Sequence, residues 1–189
     1  MYPVFGHFIR TLFCECKPFD SSFQFVGLTG VGKSLLVALL MTLFGRDFTY
    51  QNLPSSREGT GNALEVIQHV LKDLPSVFDD FAPIGERGVD YKEEAKLDRF
   101  VRAQGGAGGK IRLERNSTMK ETRTPRGSSV ITGEDIGGHG SGIARAMICR
   151  LSKGDIIMSA MEAAKKDGAM GRWGGVASWL IQHYAPQLD

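Results

Sequence analysis

Between Gly27 and Ser34 the chain reads GLTGVGKS, and no other stretch restricts the fold as strongly. The octapeptide matches G-x-x-x-x-G-K-[ST], in which glycines let consecutive backbone N–H groups turn inward and cradle phosphate oxygens. Its flanks suit that geometry. Phe23 to Val26 reads as a short buried strand, and Lys33 to Phe44 as an almost wholly apolar helix stopped by Gly45. A helix that begins at the lysine adds the partial positive charge of its N-terminus to the loop. The candidate phosphate-binding residues are Gly27, Thr29, Gly30, Val31, Gly32, Lys33, Ser34 and Leu35. Lys33 would reach the β- and γ-phosphates of ATP, and the Ser34 hydroxyl would ligate Mg2+. The bland alternative, a glycine turn that happens to fit, requires strand, pattern and helix to coincide by chance.

The remaining pattern alternates strands with helices, which predicts an α/β fold with a mostly parallel sheet. A second strand is expected over Asp47–Gln51, a third over Ser76–Phe78, a fourth over Ser129–Thr132 and a fifth over Ala144–Leu151. Asn62–Leu74 carries apolar residues at helical spacing, and Asp90–Ala103 reads as a polar surface helix. Helices over Asp155–Lys165 and Trp173–His183 close the chain. At 189 residues the chain suits one core: a packing segment over 1–22, an ATPase core over 23–152 and C-terminal helices over 153–189. Three cysteines are too few for a disulfide framework, which points to a reducing, cytoplasmic setting. The longest apolar run, Leu35 to Phe44, is shorter than the ~20 residues a bilayer demands, so no membrane partner is expected.

Further candidates follow the loop in order. Val77-Phe78-Asp79-Asp80 places two carboxylates at the end of a buried strand, where Asp79 would hold the magnesium and Asp80 would polarise the attacking water. A surface Asp-Asp turn is the rival reading. Thr132 and Glu134, at the end of the next strand, are the candidate sensors of a γ-phosphate. Arg145 could reach a neighbouring subunit's nucleotide as an arginine finger, with Arg150 as competitor and an ordinary surface arginine as the plain alternative. Between Arg99 and Arg126 lie eight basic residues against two acids, although the whole chain carries only +2. With no aromatic residue from Val101 to Ile131, that stretch would contact nucleic-acid phosphates without stacking bases. A solvated loop is the competing account of such a run. The four histidines lack ligand spacing and Cys14-Glu-Cys16 lacks a second pair, so no zinc site is expected.

The order GLTGVGKS, GNALE (Gly61–Glu65), VFDDFAP (Val77–Pro83), RAQGGAGGKIRL (Arg102–Leu113), PRGSSVITGED (Pro125–Asp135) and ARAMICRL (Ala144–Leu151) resembles the P-loop ATPase domain attached to primases of phages, plasmids and integrated elements. Such domains are similar to AAA+ and superfamily 3 helicases. The resemblance implies a three-layer P-loop fold of the additional-strand type with five strands. It also implies a ring-forming ATPase that uses ATP and Mg2+ and acts on DNA in replication. Lys33, Ser34, Asp79 and Asp80 would form the site, Thr132 or Glu134 would sense the γ-phosphate, and Arg145 would act in trans. Its partners would be single-stranded DNA along 99–126, further copies of the chain with a hexamer among the candidate assemblies, and a primase domain or partner. Two features depart from the family: about 22 residues precede the core in place of a large N-terminal region, and Thr132 stands where superfamily 3 commonly has Asn. A P-loop kinase of a small acceptor and a nucleotide-gated assembly module with slow hydrolysis are the rival functions.

Overall fold

A computed structural model describes residues 2–54, 61–81, 91–106, 112–113, 119–120, 123–136, 140 and 142–188. Helix α1 (Tyr2–Thr11) leads to β1 (Ser22–Val26), the phosphate-loop octapeptide and α2 (Lys33–Met41). Then come α3 (Gly61–Val70), β2 (Ser76–Phe81), α4 (Tyr91–Gly106) and the short β3 (Arg112–Leu113) and β4 (Met119–Lys120). The chain ends with β5 (Ser129–Gly133), β6 (Ala146–Arg150), α5 (Met158–Ala169) and α6 (Arg172–Tyr184).

Four strands form one parallel sheet in the order β2-β5-β1-β6. The central strands β1 and β5 are buried along their whole length, whereas β6 is half exposed at an edge. Helices cover both faces of the sheet, because residues alternate in direction along each strand. Phe23, Phe25, Val77 and Val130 join Val4 and Phe8 of α1, Val37 and Met41 of α2, and Ala177 of α6. Phe78, Phe81 and Ile131 point the other way, onto Leu64 of α3 and Leu97, Phe100 and Val101 of α4. Each such buried aromatic or aliphatic side chain contributes about 1.5–3 kcal/mol. One polar ring is sealed into the first cluster's rim: His7 lies against Phe8, Phe19 and Phe23, with neither ring nitrogen hydrogen-bonded among the described residues. Burial pushes its pKa down to about 3.

The sheet has four strands rather than five. The strand expected over Asp47–Gln51 is a series of turns. The Thr49 amide and hydroxyl both donate to Asn52 Oδ1, at 2.5 and 3.1 Å, and Asn52 Nδ2 donates to the Asp47 carbonyl at 2.8 Å. Short polar side chains thus capture the backbone groups a ladder would have used. The helix expected to be polar and superficial, α4, instead anchors the second cluster. Leu97, Phe100 and Val101, at i, i+3 and i+4, form a narrow apolar stripe on an otherwise charged helix. The basic stretch contains an antiparallel pair, Arg112 opposite Lys120 and Leu113 opposite Met119. Residues 107–111, 114–118 and 121–122 of that stretch lie outside the described residues. So do 82–83 of the VFDDFAP motif.

Helices α5 and α6 pack more lightly than the rest. Met161 and Ala177 are buried, and Trp173 Nε1 donates to the Ala164 carbonyl at 3.0 Å to fix the turn between the two helices. Among the described residues no helix is long and apolar enough to cross a membrane.

Candidate functional site

The octapeptide lies at the carboxyl ends of the parallel strands, where open α/β sheets place their ligand crevices. Three glycines there are structural requirements. Gly32 sits at φ 91°, left-handed, and immediately precedes the first turn of α2, which holds Lys33, Ser34 and Leu35. At Gly27 a side chain is excluded by space: a Cβ would stand 2.2 Å from the Leu151 carbonyl oxygen at the end of β6. Gly30 is also left-handed at φ 85°, and the Val31 amide reaches the Leu28 carbonyl at 3.4 Å. The start of α2 has neither a side-chain cap nor an acidic residue in its first turn. Its N-terminal N–H groups and dipole therefore favour an anion from outside the helix.

Lys33 is buried, and its Nζ donates to the Gly27 and Leu28 carbonyls at 2.6 and 3.0 Å. Beside it, three residues from three elements meet. Ser34 Oγ donates to Asp79 Oδ1 at 2.8 Å, and Thr132 Oγ1 donates to the same oxygen at 2.6 Å. The Thr132 oxygen in turn accepts the Asp80 amide at 2.8 Å. Strand order makes this possible, because β5 lies between β1 and β2 and carries Thr132 to the strand end beside Asp79. The pairing of β2 with β5 shifts register between Phe78 and Phe81, and Asp80 is left-handed at φ 60°. A bulge of this kind re-aims neighbouring side chains, and a short polar residue such as Asp tolerates its backbone conformation. The strand therefore runs through Phe81 rather than ending at Phe78.

Ser34 Oγ and Asp79 Oδ1 are hard oxygen donors in mutual contact, a donor set that fits Mg2+ with water and phosphate oxygens completing the shell. Among the described residues no cluster of three or more His, Cys, Asp or Glu is placed to hold a metal.

Glu134 also reaches the loop. Its Oε1 accepts from the Thr29 hydroxyl at 2.5 Å and the Thr29 amide at 3.1 Å, and these bonds, with Lys33 nearby, hold the carboxyl below its ordinary range. Arg145 lies elsewhere. It precedes β6, whose first residue, Ala146, pairs with Ser22 at the start of β1. The length of the sheet, roughly 17 Å at 3.3 Å per residue, separates it from the loop that follows β1. There Arg145 Nη1 donates to the Gly105 carbonyl at 2.5 Å. Arg145 therefore lies at the opposite end of the sheet from its own phosphate loop. Arg150 pairs in register with Val26, at the loop's own end of the sheet.

Three described cations of the basic stretch are engaged within the molecule. Arg99 Nε donates to Glu65 Oε1 at 2.8 Å, and Arg102 pairs with Asp98 at 2.7 Å. Arg126 grips Glu15 with two bonds, at 2.9 and 3.1 Å.

No protein-family model matches the chain, and comparison with curated proteins finds no match. Solved structures do match. One is JCV helicase with an acetamide compound bound, at TM-score 0.51 and 15% identity, covering 97% of this chain and 55% of that one. A second is JCV helicase with an inhibitor bound, at TM-score 0.51 and 17% identity, covering 96% and 49%. The fold is helicase-like. The chain spans about half the length of these helicase chains. A third match is the C-terminal region of NrS-1, at TM-score 0.46 and 14% identity, covering 91% and 40%.

Sequence reasoning missed the contacts that shape this candidate site. The Leu151 carbonyl against Gly27, the bulge at Asp79–Asp80 and the Thr29–Glu134 bond all join residues far apart in the chain. The only sequence signal for them is the spacing of the motifs along the chain.

Proposed function

We propose that the chain is a Mg2+-dependent ATPase of the additional-strand, AAA+ and superfamily 3 helicase-like kind, which forms a ring and acts on DNA in replication of a mobile element. The convergence of Ser34, Asp79 and Thr132 beside the buried Lys33 carries this reading. Lys33 and the amides at the start of α2 bind the β- and γ-phosphates of ATP. Ser34 and Asp79 would hold the magnesium, whose charge offsets that developing on the phosphates when it is bound. Thr132 fixes the Asp79 carboxylate with its one proton and steadies the Asp80 backbone with its lone pair, so Asp80 is aimed to orient the attacking water. Arg145, remote from its own loop, serves the adjacent protomer's γ-phosphate. DNA passes along the basic stretch through phosphate contacts, without base readout.

Steady-state ATP hydrolysis with and without single-stranded DNA tests the proposal. Turnover stimulated by DNA and abolished by both Lys33→Ala and Arg145→Ala supports a motor with shared sites. Turnover indifferent to DNA and to Arg145→Ala contradicts it and favours a kinase or a nucleotide-gated assembly module.

A further inference from the structure

Glu134 makes an arrangement that the hydrolytic scheme leaves unused. Its exposed carboxylate holds both the hydroxyl and the amide of Thr29, in the middle of a loop built to bind anions. The attachment is firm at its base, because the Glu134 amide donates to the Phe81 carbonyl at 2.8 Å and so pins residue 134 to the end of β2. The carboxylate also lies within the field of Lys33, whose Nζ is held by the Gly27 and Leu28 carbonyls on the same loop. A fixed negative charge thus occupies a donor of the phosphate loop and shares the field of its lysine. Nucleotide phosphates need those same donors and that same ammonium. Two anions in one small site repel, and the repulsion grows with the charge of the incoming group.

We propose that Glu134 is a latch on the phosphate loop that nucleotide phosphates displace, so that it weakens binding in proportion to phosphate charge and speeds nucleotide release. Glu134 is then a positioning residue that sets how strongly the site distinguishes triphosphate from diphosphate. This inference rests on the reading of the loop as a nucleotide site and adds the regulation of that site.

Equilibrium binding of a fluorescent ADP and of a fluorescent non-hydrolysable ATP analogue to the full chain tests the latch, at fixed Mg2+. Glu134→Ala is expected to tighten the ATP analogue about three- to tenfold and ADP less, with the gain appearing in the dissociation rate. Glu134→Gln, which keeps an oxygen for Thr29 but loses the charge, should give an intermediate gain. Thr29→Val, which removes the hydroxyl and keeps the amide, should shift affinity the same way by about twofold. A thermal midpoint equal to wild type confirms that the variants retain the fold. Weaker or unchanged binding of both nucleotides by Glu134→Ala, with wild type binding normally, overturns the latch and leaves the nucleotide site standing. A folded wild-type chain that binds neither nucleotide overturns both.

Discussion

The phosphate loop and the basic stretch were the two loudest signals in the sequence, and the structure treats them differently. Around the loop, charge and hydrogen bonding converge: Lys33, Ser34, Asp79, Thr132 and Glu134 come from the octapeptide with its helix, from β2 and from the end of β5 to one end of the sheet. Along the basic stretch, part of the charge is cancelled. Arg99, Arg102 and Arg126 are each tied to a carboxylate of the same molecule. A motif that specifies backbone geometry therefore gathers its residues into one candidate site, whereas a count of charges does not by itself predict a field. In this run, Arg99, Arg102 and Arg126 are structural cations.

Five substitutions test that contrast. Lys33→Ala removes the cation on which the loop is built, and nucleotide turnover should fall at least about 100-fold in a steady-state assay. Thr132→Val keeps the shape but removes the hydroxyl shared by Asp79 and Asp80. It should lower kcat about 10- to 100-fold with KM changed less than about threefold, the pattern of a supporting residue behind the ligands. The core beneath both regions has its own pH limit. The folded pKa of His7, about 3, lies below the unfolded 6.5, so the neutral ring's contribution is complete above 6.5 and lost as pH falls towards 3. Unfolding measured from pH 7 to 4 should show stability falling by up to about 1.4 kcal/mol per pH unit, and His7→Phe should flatten that slope. The smallest effect belongs to the basic stretch. Arg99→Ala should cost about 0.2–1 kcal/mol of stability and leave the salt dependence of single-stranded DNA binding unchanged. By contrast, Arg123→Ala should reduce the slope of log K against log salt by about 0.7. Equal slopes for the two variants would erase the distinction between structural and DNA-facing cations.

The octapeptide, its strand and its helix were legible because their information is local: glycine positions, an apolar run and a lysine at fixed spacing. Asp79 was legible for the same reason, as a carboxylate at the end of an apolar run. The missing second strand was not, because Asn52 turns the chain back through side-chain bonds that propensity does not register. The apolar stripe of α4 was hidden under its charges, since only Leu97, Phe100 and Val101 carry it. The Thr29–Glu134 contact spans 105 residues, and its existence depends on strand order. Arg99 and Arg126 read as surface cations because their partners, Glu65 and Glu15, lie outside the run itself.

The most direct test of the central claim is a titration of fluorescent ATP analogue into wild type and Lys33→Ala, each with and without magnesium. Wild type should bind saturably and more strongly with magnesium, and Lys33→Ala should lose at least about 100-fold in affinity. Binding that ignores both magnesium and the lysine, or no binding by a folded wild-type chain, would contradict that claim.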